Sequence, residues 1–576
     1  MGNTWRLITV RVASSGRMQI LLLLVLVAVV LSPTLRAEFL WDDFEQIADS
    51  PSIGNLSRIP FYFTNNVVQS AGNEGVNAPG VDLYRPLFMV ALAIVHAING
   101  SDPFWFHLSV LVFHLAVSLL LWLLAIRWLD SRLSAAVAFL FFACHPVTAE
   151  AYLWASAISE PMSTAGLLAA GLLLESGCGG GRTGSRAWMV ALIAGAVLFA
   201  GLLSKEAVLM ALPALSLYLV KARGVRSRFL IPSWLAGAVF LLLRSYALSG
   251  LQATGTGAAQ RIDALKIYPV LLLDGVRAIL SMQPIGIRHL SWEYAAIGWT
   301  TSAAAAAVCL ALLVAAFALR RTAPLVLTAA LTTGLMLLPI ALVATIPGWG
   351  GFGRYLYVPL ALTALSLAEL GLLAYRYLKT NRPRLRWAVP FIVVIALIVE
   401  QVGLRRALWV YDNQENLARA AIEIFPDGPD GWEWLGNVYI ARDDLVQARE
   451  CFRKATDRGP ELFRPRHNLA GALLYTGHPA QALEQLEILD SLHPPTAPGS
   501  QVAVTALMEL GRWEEAAGRL VQSLDRDPNY DPLAETAARM LAEHPRPDEL
   551  RAWLDEELAQ PEHGKAAAVM QPMLGD

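Results

Sequence analysis

Charged residues are scarce in this chain of 576 residues: Asp, Glu, Lys and Arg make up 16% of it, against about 25% in a typical soluble protein. The shortage is concentrated in roughly the first 400 residues, where apolar segments follow one another. This excludes a soluble multidomain protein for that part of the chain. The formal net charge is −2, so the chain lacks the overall basic field that attracts nucleic acid, and we expect no nucleic-acid partner.

Cysteine is also scarce. The four cysteines are Cys144, Cys178, Cys309 and Cys451, and they lie far apart in the sequence. Their spacing fits neither a disulfide framework nor a metal-ligand motif. We interpret them as small buried hydrophobic residues and predict no metal site from them.

Apolar runs, by contrast, are abundant, since hydrophobic residues make up 55% of the chain and the mean hydropathy is +0.47. A helix that crosses a bilayer needs about 20 mostly apolar residues. We predict about eleven transmembrane helices from the runs that approach this length. These runs are Met18–Leu31, Phe106–Leu129, Leu133–Cys144, Met162–Leu174, Ala187–Leu203, Val208–Val220, Phe229–Tyr246, Ala303–Leu319, Leu325–Ile346, Leu356–Ala374 and Trp387–Gly403.

The loop charges predict one orientation. The first run follows three arginines, and we interpret it as a retained anchor because many later spans follow. With a cytoplasmic N-terminus, every loop on the inner side carries Lys or Arg, as the positive-inside rule requires. An odd number of spans then places the chain after Gly403 outside. The composition favours a bacterial inner membrane with the C-terminal part in the periplasm.

Two apolar segments do not fit simple spans. Tyr84–Ile98 is short, and Leu265–Met282 is interrupted by Pro269, Asp274 and Arg277. We expect both to lie at or dip into the outer membrane interface.

The last third of the chain has a repeat of 34 residues. Its first unit carries residues at the tetratricopeptide positions, namely Trp432, Leu435, Gly436, Tyr439, Ala448, Phe452, Ala455 and Pro460. We predict a membrane domain over 1–408, a repeat domain over 409–560 and a frayed tail over 561–576. The repeats lie near 429–462, 463–496 and 497–530, and closing helices follow. Such repeats form a concave surface that binds a protein or peptide, or else act as a rigid spacer.

Ionisable residues of the membrane domain concentrate on its predicted outer side, where leaving a charge buried and unpaired is costly. Asp42 and Asp43 follow the first span, and Arg85, Lys205 and Arg354 lie near the outer ends of other segments. An acid can deprotonate an acceptor hydroxyl while cations hold a lipid phosphate. We therefore predict that the two acids are catalytic and that the three cations bind the donor phosphate. Helix capping, head-group contacts and simple ion pairing are the alternatives.

Further side chains near these residues are predicted to contact the substrate: Tyr84, His145, Glu150, Glu160, Glu206, Tyr355 and Tyr357. His145 and Glu150 could instead be a metal pair, but no third ligand follows at a recognisable spacing. A helix-ending turn at His145-Pro146 fits better. We expect no cofactor and no metal, although a divalent ion between the acids and the donor phosphate stays open.

Five ordered motifs carry a family resemblance. They are Trp-Asp-Asp-Phe-x-x-Ile from Trp41, Tyr-Arg-Pro-Leu from Tyr84, His-Pro-x-x-x-Glu from His145, Ser-Lys-Glu from Ser204 and Arg-Tyr-Leu-Tyr-x-Pro from Arg354. With the repeats, they resemble the transmembrane and tetratricopeptide-repeat O-mannosyltransferases, polytopic glycosyltransferases of the GT-C fold related to the protein O-mannosyltransferases. The family's usual Arg-Asp after the His-Pro element is replaced by Ser159-Glu160, which leaves the acceptor open.

The resemblance implies a polyprenyl-phosphate-linked monosaccharide donor, carrying mannose or a similar hexose. It implies an inverting, metal-independent transfer to a hydroxyl of a protein or glycan on the extracytoplasmic side. By the same resemblance, Asp42 and Asp43 would supply the general base, and Arg85, Lys205 and Arg354 would hold the lipid phosphate.

The sequence therefore predicts an all-α membrane glycosyltransferase of GT-C type, followed by a tetratricopeptide α-solenoid. Its expected partners are the bilayer, the lipid-linked sugar, the acceptor and a protein that binds the repeats. The alternative is a membrane-anchored scaffold that organises a periplasmic assembly, but a scaffold would not need acids and bases on one side of the membrane. A transporter or flippase would predict charges within the spans and symmetry between halves. The sequence has neither.

Overall fold

The computed structural model describes residues 2–70, 83–248, 258–282, 294, 297–343, 353–526, 531–543 and 552. All secondary structure in these ranges is helical, which confirms the predicted all-α class. The chain divides into two compact units, Met1–Leu417 and Ala418–Asp576. We call them the membrane unit and the repeat unit.

The membrane unit consists of long apolar helices joined by short turns. Its α-helices are α1 (Gly2–Leu31), α2 (Ile59–Tyr62), α3 (Val67–Ser70), α4 (Pro86–Asn99), α5 (Pro103–Leu129), α6 (Arg132–Ala143), α7 (Ala149–Leu153), α8 (Ser159–Cys178), α9 (Ser185–Ser204), α10 (Leu212–Arg223), α11 (Ile231–Ala247), α12 (Ala258–Ser281), α13 (Trp299–Ala318), α14 (Pro324–Val343), α15 (Tyr357–Asn381) and α16 (Ala388–Val410). Short 3-10 helices precede several of them, among them Pro146–Thr148, Ala155–Ile158, Glu206–Ala211 and Gly353–Leu356.

Nine helical segments in the described ranges are long and apolar enough to cross a bilayer, or ten if the bent pair Arg132–Ala143 and Pro146–Leu153 is one span. This agrees roughly with the predicted eleven. The predicted span Val208–Val220 is not one of them. It begins in the 3-10 helix Glu206–Ala211, and only the 12 residues of α10 continue as an α-helix. Pro213 in the first turn of α10 lacks the N–H that would extend the helix backwards.

The two segments expected at the outer interface are both helical. Tyr84–Ile98 corresponds to α4, an apolar helix of 14 residues. All of Leu265–Met282 except its last residue lies within α12, which continues through Pro269. Neither is among the candidate spans, and their place at the interface stays a prediction.

Glycines let α8 and α9 pack closely. A Cβ on Gly166 would lie 2.8 Å from the Cα of Gly201, and a Cβ on Gly201 would lie 3.0 Å from the carbonyl oxygen of Ser163. Small residues at helix contacts are the usual means by which membrane helices approach one another. This contact places Glu160, at the start of α8, beside Lys205, which follows the end of α9.

The repeat unit contains the three predicted helix pairs. After α17 (Gln414–Ile424), which spans the division between the units, its helices are α18 (Asp430–Ala441), α19 (Leu445–Arg458), α20 (Phe463–Tyr475), α21 (Pro479–Leu492), α22 (Ala497–Glu509), α23 (Trp513–Arg526) and α24 (Asp531–Glu543). Consecutive helices pack against each other, as in tetratricopeptide repeats. The rest of the predicted closing helices and the tail 561–576 lie outside the described residues.

The turn between the helices of each pair has a left-handed residue at the same repeat position. The φ angles are 59° at Asp443, +76° at Gly477 and +72° at Gly511. Glycine adopts this conformation at no steric cost, which explains why glycine occupies positions 477 and 511. Gly436 has a different role, because a Cβ there would lie 2.5 Å from the ring of Phe452.

Candidate functional site

The loop after α1 is tied to the connection between α7 and α8 by the carboxylate of Asp43. One oxygen accepts a hydrogen bond from the backbone N–H of Leu40 at 2.9 Å, and the other accepts from the N–H of Ser156 at 2.7 Å. The side chain is completely buried. Burial raises the pKa of Asp43 to about 7, although both hydrogen bonds oppose this shift. Asp43 therefore joins two segments of the backbone and presents no free surface.

Two tryptophans reinforce this junction. The rings of Trp41 and Trp154 are stacked with centroids 6.1 Å apart and planes 10° from parallel. The indole N–H of Trp154 donates to the carbonyl of Leu40 at 3.1 Å. Trp41 has a φ of 38°, an unfavourable conformation for a large side chain, and such strain often occurs at functional sites. Asp42 is held in place between Trp41 and the buried Asp43.

Two ion pairs link α4, α8 and the end of α9. Arg85 donates from Nε and Nη2 to the two carboxylate oxygens of Glu206, at 3.0 and 2.7 Å. Lys205 donates to Glu160, and both side chains are almost completely buried. A bidentate arginine–carboxylate pair fixes geometry as well as charge. The two adjacent residues after α9 thus bind partners on two different helices.

Arg354 connects these pairs to the first loop. Its backbone N–H donates to Oε2 of Glu150 at 3.2 Å, and its Nε lies 3.4 Å from Oε1 of the same residue. Its Nη1 lies 3.9 Å from Oδ2 of Asp42, a longer and weaker contact. Gly353 allows this approach, since a Cβ there would lie 2.3 Å from the carbonyl oxygen of Val147.

Aromatic rings flank the cations. The guanidinium of Arg354 lies 5.5 Å from the ring centroids of both Trp154 and Tyr355, and the ammonium of Lys205 lies 5.1 Å from the ring of Tyr355. Rings at these distances attract cations. They therefore help to hold Arg354 and Lys205 in the site.

Exposure separates the residues that a ligand can reach from those that it cannot. The side chain of Asp42 is 35% exposed, that of Arg354 19% and that of Arg85 14%, whereas Lys205 is 3% exposed. Neighbouring residues surround Asp42, yet its carboxylate still reaches solvent. Asp42, Arg85 and Arg354 are the residues with surface to offer a substrate, together with Glu206, which Arg85 holds.

The electrostatics of the site follow from burial and pairing. Burial raises the pKa of Asp42, and the charges of Arg354 and Arg85 oppose this. Burial lowers the pKa of Lys205 to about 8 despite the nearby Glu160. Burial acts to raise the pKa of Glu206, but Arg85 outweighs it and holds that pKa at about 2. Asp42 is therefore the more basic of the two carboxylates that reach solvent.

Each cation of the site already has an acidic neighbour: Glu206 for Arg85, Glu160 for Lys205, and both Glu150 and Asp42 for Arg354. Glu206 and Glu160 each accept a direct hydrogen bond from their cation. The contact between Arg354 and Asp42 is the longest of these pairs. An anionic substrate would therefore enter most easily between Asp42 and Arg354.

The structure brings most of the predicted site residues together: Asp42, Asp43, Arg85, Glu150, Glu160, Lys205, Glu206, Arg354 and Tyr355. The other three predicted residues, Tyr84, Tyr357 and His145, form hydrogen bonds with other parts of the protein. The hydroxyl of Tyr84 donates to the carbonyl of Phe63 at 3.0 Å, and that of Tyr357 lies 2.6 Å from Nδ1 of His114.

His145 has both ring nitrogens bound within the protein. The N–H of Val147 donates to Nδ1 at 3.2 Å, so Nε2 carries the proton and donates to the carbonyl of Ile279 at 3.0 Å. The residue caps the 3-10 helix Pro146–Thr148 and is completely buried. This geometry fits the helix-ending turn that the sequence favoured and leaves neither nitrogen for a ligand.

Sequence reasoning missed Trp154, Ser156 and Tyr411. Trp154 and Ser156 follow Glu150 closely, but a tryptophan and a serine in an apolar stretch have many ordinary roles, so no local signal marks them. Tyr411 follows α16 and is buried within the electrostatic reach of Glu150 and Arg354. Only the folded chain brings these residues to the site.

Within the described part of the chain, no three His, Cys, Asp or Glu side chains are grouped so that they could hold a metal ion. The candidate site therefore consists of paired acids, cations and aromatic rings.

No family model matches this chain, and no curated protein matches it. Among solved structures, one match is described as "Crystal structure of YrrB: a TPR protein with an unusual peptide-binding site". It is 21% identical, covers 34% of this chain and 98% of that one, and has a TM-score of 0.24.

Proposed function

We propose that this protein is a membrane glycosyltransferase that moves a monosaccharide, mannose or a similar hexose, from a polyprenyl-phosphate donor to a hydroxyl of a protein or glycan. The observation that carries the proposal is the arrangement of Asp42, Arg354 and Arg85. The partly exposed carboxylate of Asp42 lies beside the partly exposed guanidinium of Arg354. The positive charge of Arg85 also stabilises the ionised form of this carboxylate. The family resemblance of the five motifs supports the same chemistry.

Asp42 is the general base of the proposed reaction. Its carboxylate reaches solvent, and burial raises its pKa above the usual value of an aspartate, which makes it a stronger base. Asp43 also has a raised pKa, but it does not reach solvent, because it is completely buried and both of its oxygens accept backbone hydrogen bonds. Its part is to hold the loop that carries Asp42.

Arg354 and Arg85 hold the donor phosphate. Both are partly exposed, and arginine suits phosphate because its planar fork can make two parallel hydrogen bonds. Lys205 is nearly sealed from solvent by its pair with Glu160. Its charge adds to the positive potential of the two arginines, and its ion pair with Glu160 holds the start of α8 beside the end of α9.

The step itself is a single displacement. The acceptor oxygen attacks the anomeric carbon and gives its proton to Asp42, while the bond from that carbon to the phosphate oxygen breaks. The electron pair leaves on the phosphate, and the arginines stabilise its added charge. Because attack and departure occur on opposite faces of the sugar, the anomeric configuration inverts. The sugar would lie between Asp42 and Arg354 and widen their 3.9 Å contact.

The proposed setting is a bacterial inner membrane with the N-terminus cytoplasmic, the reaction on the extracytoplasmic side and the repeat unit in the periplasm. The loop charges support this orientation through the positive-inside rule. In this scheme the repeat unit recruits or presents the acceptor, or binds a protein partner.

The test is transfer of radiolabelled sugar from defined polyprenyl-phosphate donors by the purified protein in lipid nanodiscs, with and without a chelator. Asp42→Asn should reduce the rate of transfer by about 100-fold or more, the usual contribution of a general base. Asp49→Asn is the matched control, since Asp49 is an exposed acid of the same loop. It should transfer at the wild-type rate.

Wild-type transfer by folded Asp42→Asn would overturn the assignment of the base. Absence of transfer by the wild type with every donor and acceptor offered would count against the enzyme and favour the scaffold that the sequence left as an alternative. Loss of transfer with chelator would add a divalent ion to the donor site.

A further inference from the structure

Residues 376–387, which connect α15 to α16, carry a high density of positive charge, and we call them the basic connection. Its cations are Arg376, Lys379, Arg382, Arg384 and Arg386. No acid occurs between Glu369 and Glu400, so nothing nearby in the sequence neutralises this charge. The loop charges predict that this side of the membrane unit is cytoplasmic.

The fold also leaves these cations without acidic partners. All five are exposed, and none of them forms an ion pair with an acid in the part of the chain that the structure describes. By contrast, Arg127 and Arg223 on the same predicted side share Glu175, at 3.8 and 2.7 Å. Arg320 folds back onto the end of α13 and donates to the carbonyl of Phe317 at 2.8 Å. The basic connection therefore offers its charge to a partner outside the chain.

The backbone of the basic connection is ordered by its own hydrogen bonds. The 3-10 helix Pro383–Leu385 follows α15 and leads into α16. The N–H of Leu385 donates to the carbonyl of Arg382 at 2.8 Å, and the N–H of Arg382 donates to the carbonyl of Leu378 at 2.9 Å. The proline restricts the chain further. Because this backbone is already ordered, binding a partner costs little conformational entropy.

Exposed aromatic and apolar side chains lie among the cations. Tyr377, Leu385 and Trp387 are each more than half exposed. The guanidinium of Arg386 lies 5.2 Å from the ring centroid of Trp387, which places a charge and an aromatic ring side by side. Tyrosine and tryptophan favour the boundary between lipid tails and head groups. Cations combined with such rings are typical of a surface that lies against a bilayer.

Both neighbouring helices are candidate membrane spans. The spans are Gly353–Asn381, which contains α15, and Pro383–Val410, which contains α16. If both cross the bilayer, the basic connection emerges where the lipid head groups begin. Only 17% of the most apolar stretch of α16 is buried within the protein, so lipid surrounds most of this helix. The anion within reach of the five cations is therefore a phospholipid head group.

We propose that the basic connection binds the head groups of anionic phospholipids in the surrounding membrane. Its positive charge complements their phosphates, and its exposed rings enter the interface beside them. A soluble phosphate would match the charge but would gain nothing from the apolar side chains. The bound lipids fix one end of α16. The other end leads to Asp412, whose carbonyl accepts a hydrogen bond at 2.9 Å from the N–H of Glu38, in the loop after α1.

The test is native mass spectrometry of the purified full chain in detergent, titrated with phosphatidylglycerol or with phosphatidylcholine of the same acyl chains. Phosphatidylglycerol should bind about 10-fold more tightly or better, and its affinity should fall as the salt concentration rises. Soluble glycerol phosphate should not compete. Equal binding of the two lipids would overturn the proposal, and full competition by glycerol phosphate would assign the cations to a soluble anion instead.

Variants with fewer charges show whether the binding belongs to this connection. Arg384→Gln together with Arg386→Gln should weaken phosphatidylglycerol binding about 25-fold, at about 5-fold for each cation near an anionic surface. Arg320→Gln together with Arg321→Gln is the matched control, since it removes the same charge from two exposed arginines of another connection on the same predicted side. This control should bind within about 2-fold of the wild type. Equal losses in the two variants would mean that the lipid responds to the total charge of that side, and the proposed site would fall.

A charge-conserving variant and hydrogen exchange complete the test. Arg384→Lys together with Arg386→Lys should bind phosphatidylglycerol as the wild type does, because a lipid surface responds to charge. A loss as large as that of the glutamine variant would point to a pocket shaped for guanidinium groups and contradict the proposal. In nanodiscs of the full chain, amides of residues 376–387 should exchange more slowly with phosphatidylglycerol than with phosphatidylcholine, whereas those of residues 319–323 should not change. Unchanged exchange in the basic connection would overturn the proposal.

This binding does not depend on the proposed function. Selective binding of phosphatidylglycerol by a protein that transfers no sugar would keep the lipid surface and remove the enzyme. Sugar transfer without selective binding would do the reverse.

Discussion

Replacing Asp43 by asparagine should loosen the first loop without removing the exposed carboxylate of Asp42. Each oxygen of Asp43 accepts one backbone N–H, from Leu40 at 2.9 Å and from Ser156 at 2.7 Å. An asparagine keeps only one acceptor oxygen, so one of these amides loses its partner in a buried place. A buried donor left without an acceptor costs about 1–3 kcal/mol, which is roughly a 5- to 150-fold change in a local opening equilibrium.

Hydrogen–deuterium exchange of the full chain in nanodiscs measures this cost directly, because protected amides exchange when the segment that holds them opens. Peptides that contain Leu40 or Ser156 should exchange faster in Asp43→Asn by a factor within that range. In Asp42→Asn they should exchange at the wild-type rate, because Asp42 accepts neither hydrogen bond. The two adjacent variants therefore separate a structural acid from a reactive one.

Two results would refute this reasoning. Wild-type exchange at both peptides in Asp43→Asn would mean that the carboxylate does not hold the two segments together. Equally fast exchange in Asp42→Asn would mean that both acids belong to one structural turn, and Asp42 would lose its support as the base. Other regions of the protein, such as the peptides of α19, provide the internal reference for exchange in each sample.

Two further predictions concern the repeat unit. Gly436→Ala places a methyl 2.5 Å from the ring of Phe452 and should lower stability by about 1–3 kcal/mol, seen as a lower Tm. Gly471→Ala meets nothing within 4 Å and should keep or raise Tm, since alanine favours a helix over glycine by about 1 kcal/mol; equal losses would contradict the packing argument. Burial raises the pKa of Glu433 from 4.5 to about 7, so the folded unit keeps a proton that the unfolded chain loses, and its stability should fall as the pH rises between these values. Glu433→Gln should flatten this fall in thermal unfolding across that pH range, and an unchanged slope would show that another group causes it.

The candidate site was predicted from the sequence only in part. The acids and bases could be found because charges beside apolar runs are conspicuous, and Asp42, Arg85 and Arg354 do lie in one site. Motif membership did not reveal which residues face outward. Tyr84 and Tyr357 belong to the same motifs as two of the cations, yet their hydroxyl groups bond inside the protein.

The membrane helices show the same division. Hydropathy predicted nearly all of them, but Val208–Val220 appeared to be a span because its residues are apolar on average. The structure contains a 3-10 helix and a short α-helix there. The cause is the proline in the first turn of α10, which a mean over many residues does not detect.

By itself the sequence determined the all-helical class, the membrane helices and the repeats, because hydropathy and repeat spacing are properties of neighbouring residues. Only the tertiary structure decided which of two adjacent acids is buried and which cation each carboxylate binds. The reason is sequence separation. The carboxylate of Asp43 accepts a hydrogen bond from the N–H of Ser156, which is 113 residues further along the chain. Arg85 binds Glu206, which is 121 residues further along. Partners this distant meet only when helices pack, and the close contact of α8 and α9 at Gly166 and Gly201 helps to bring them together.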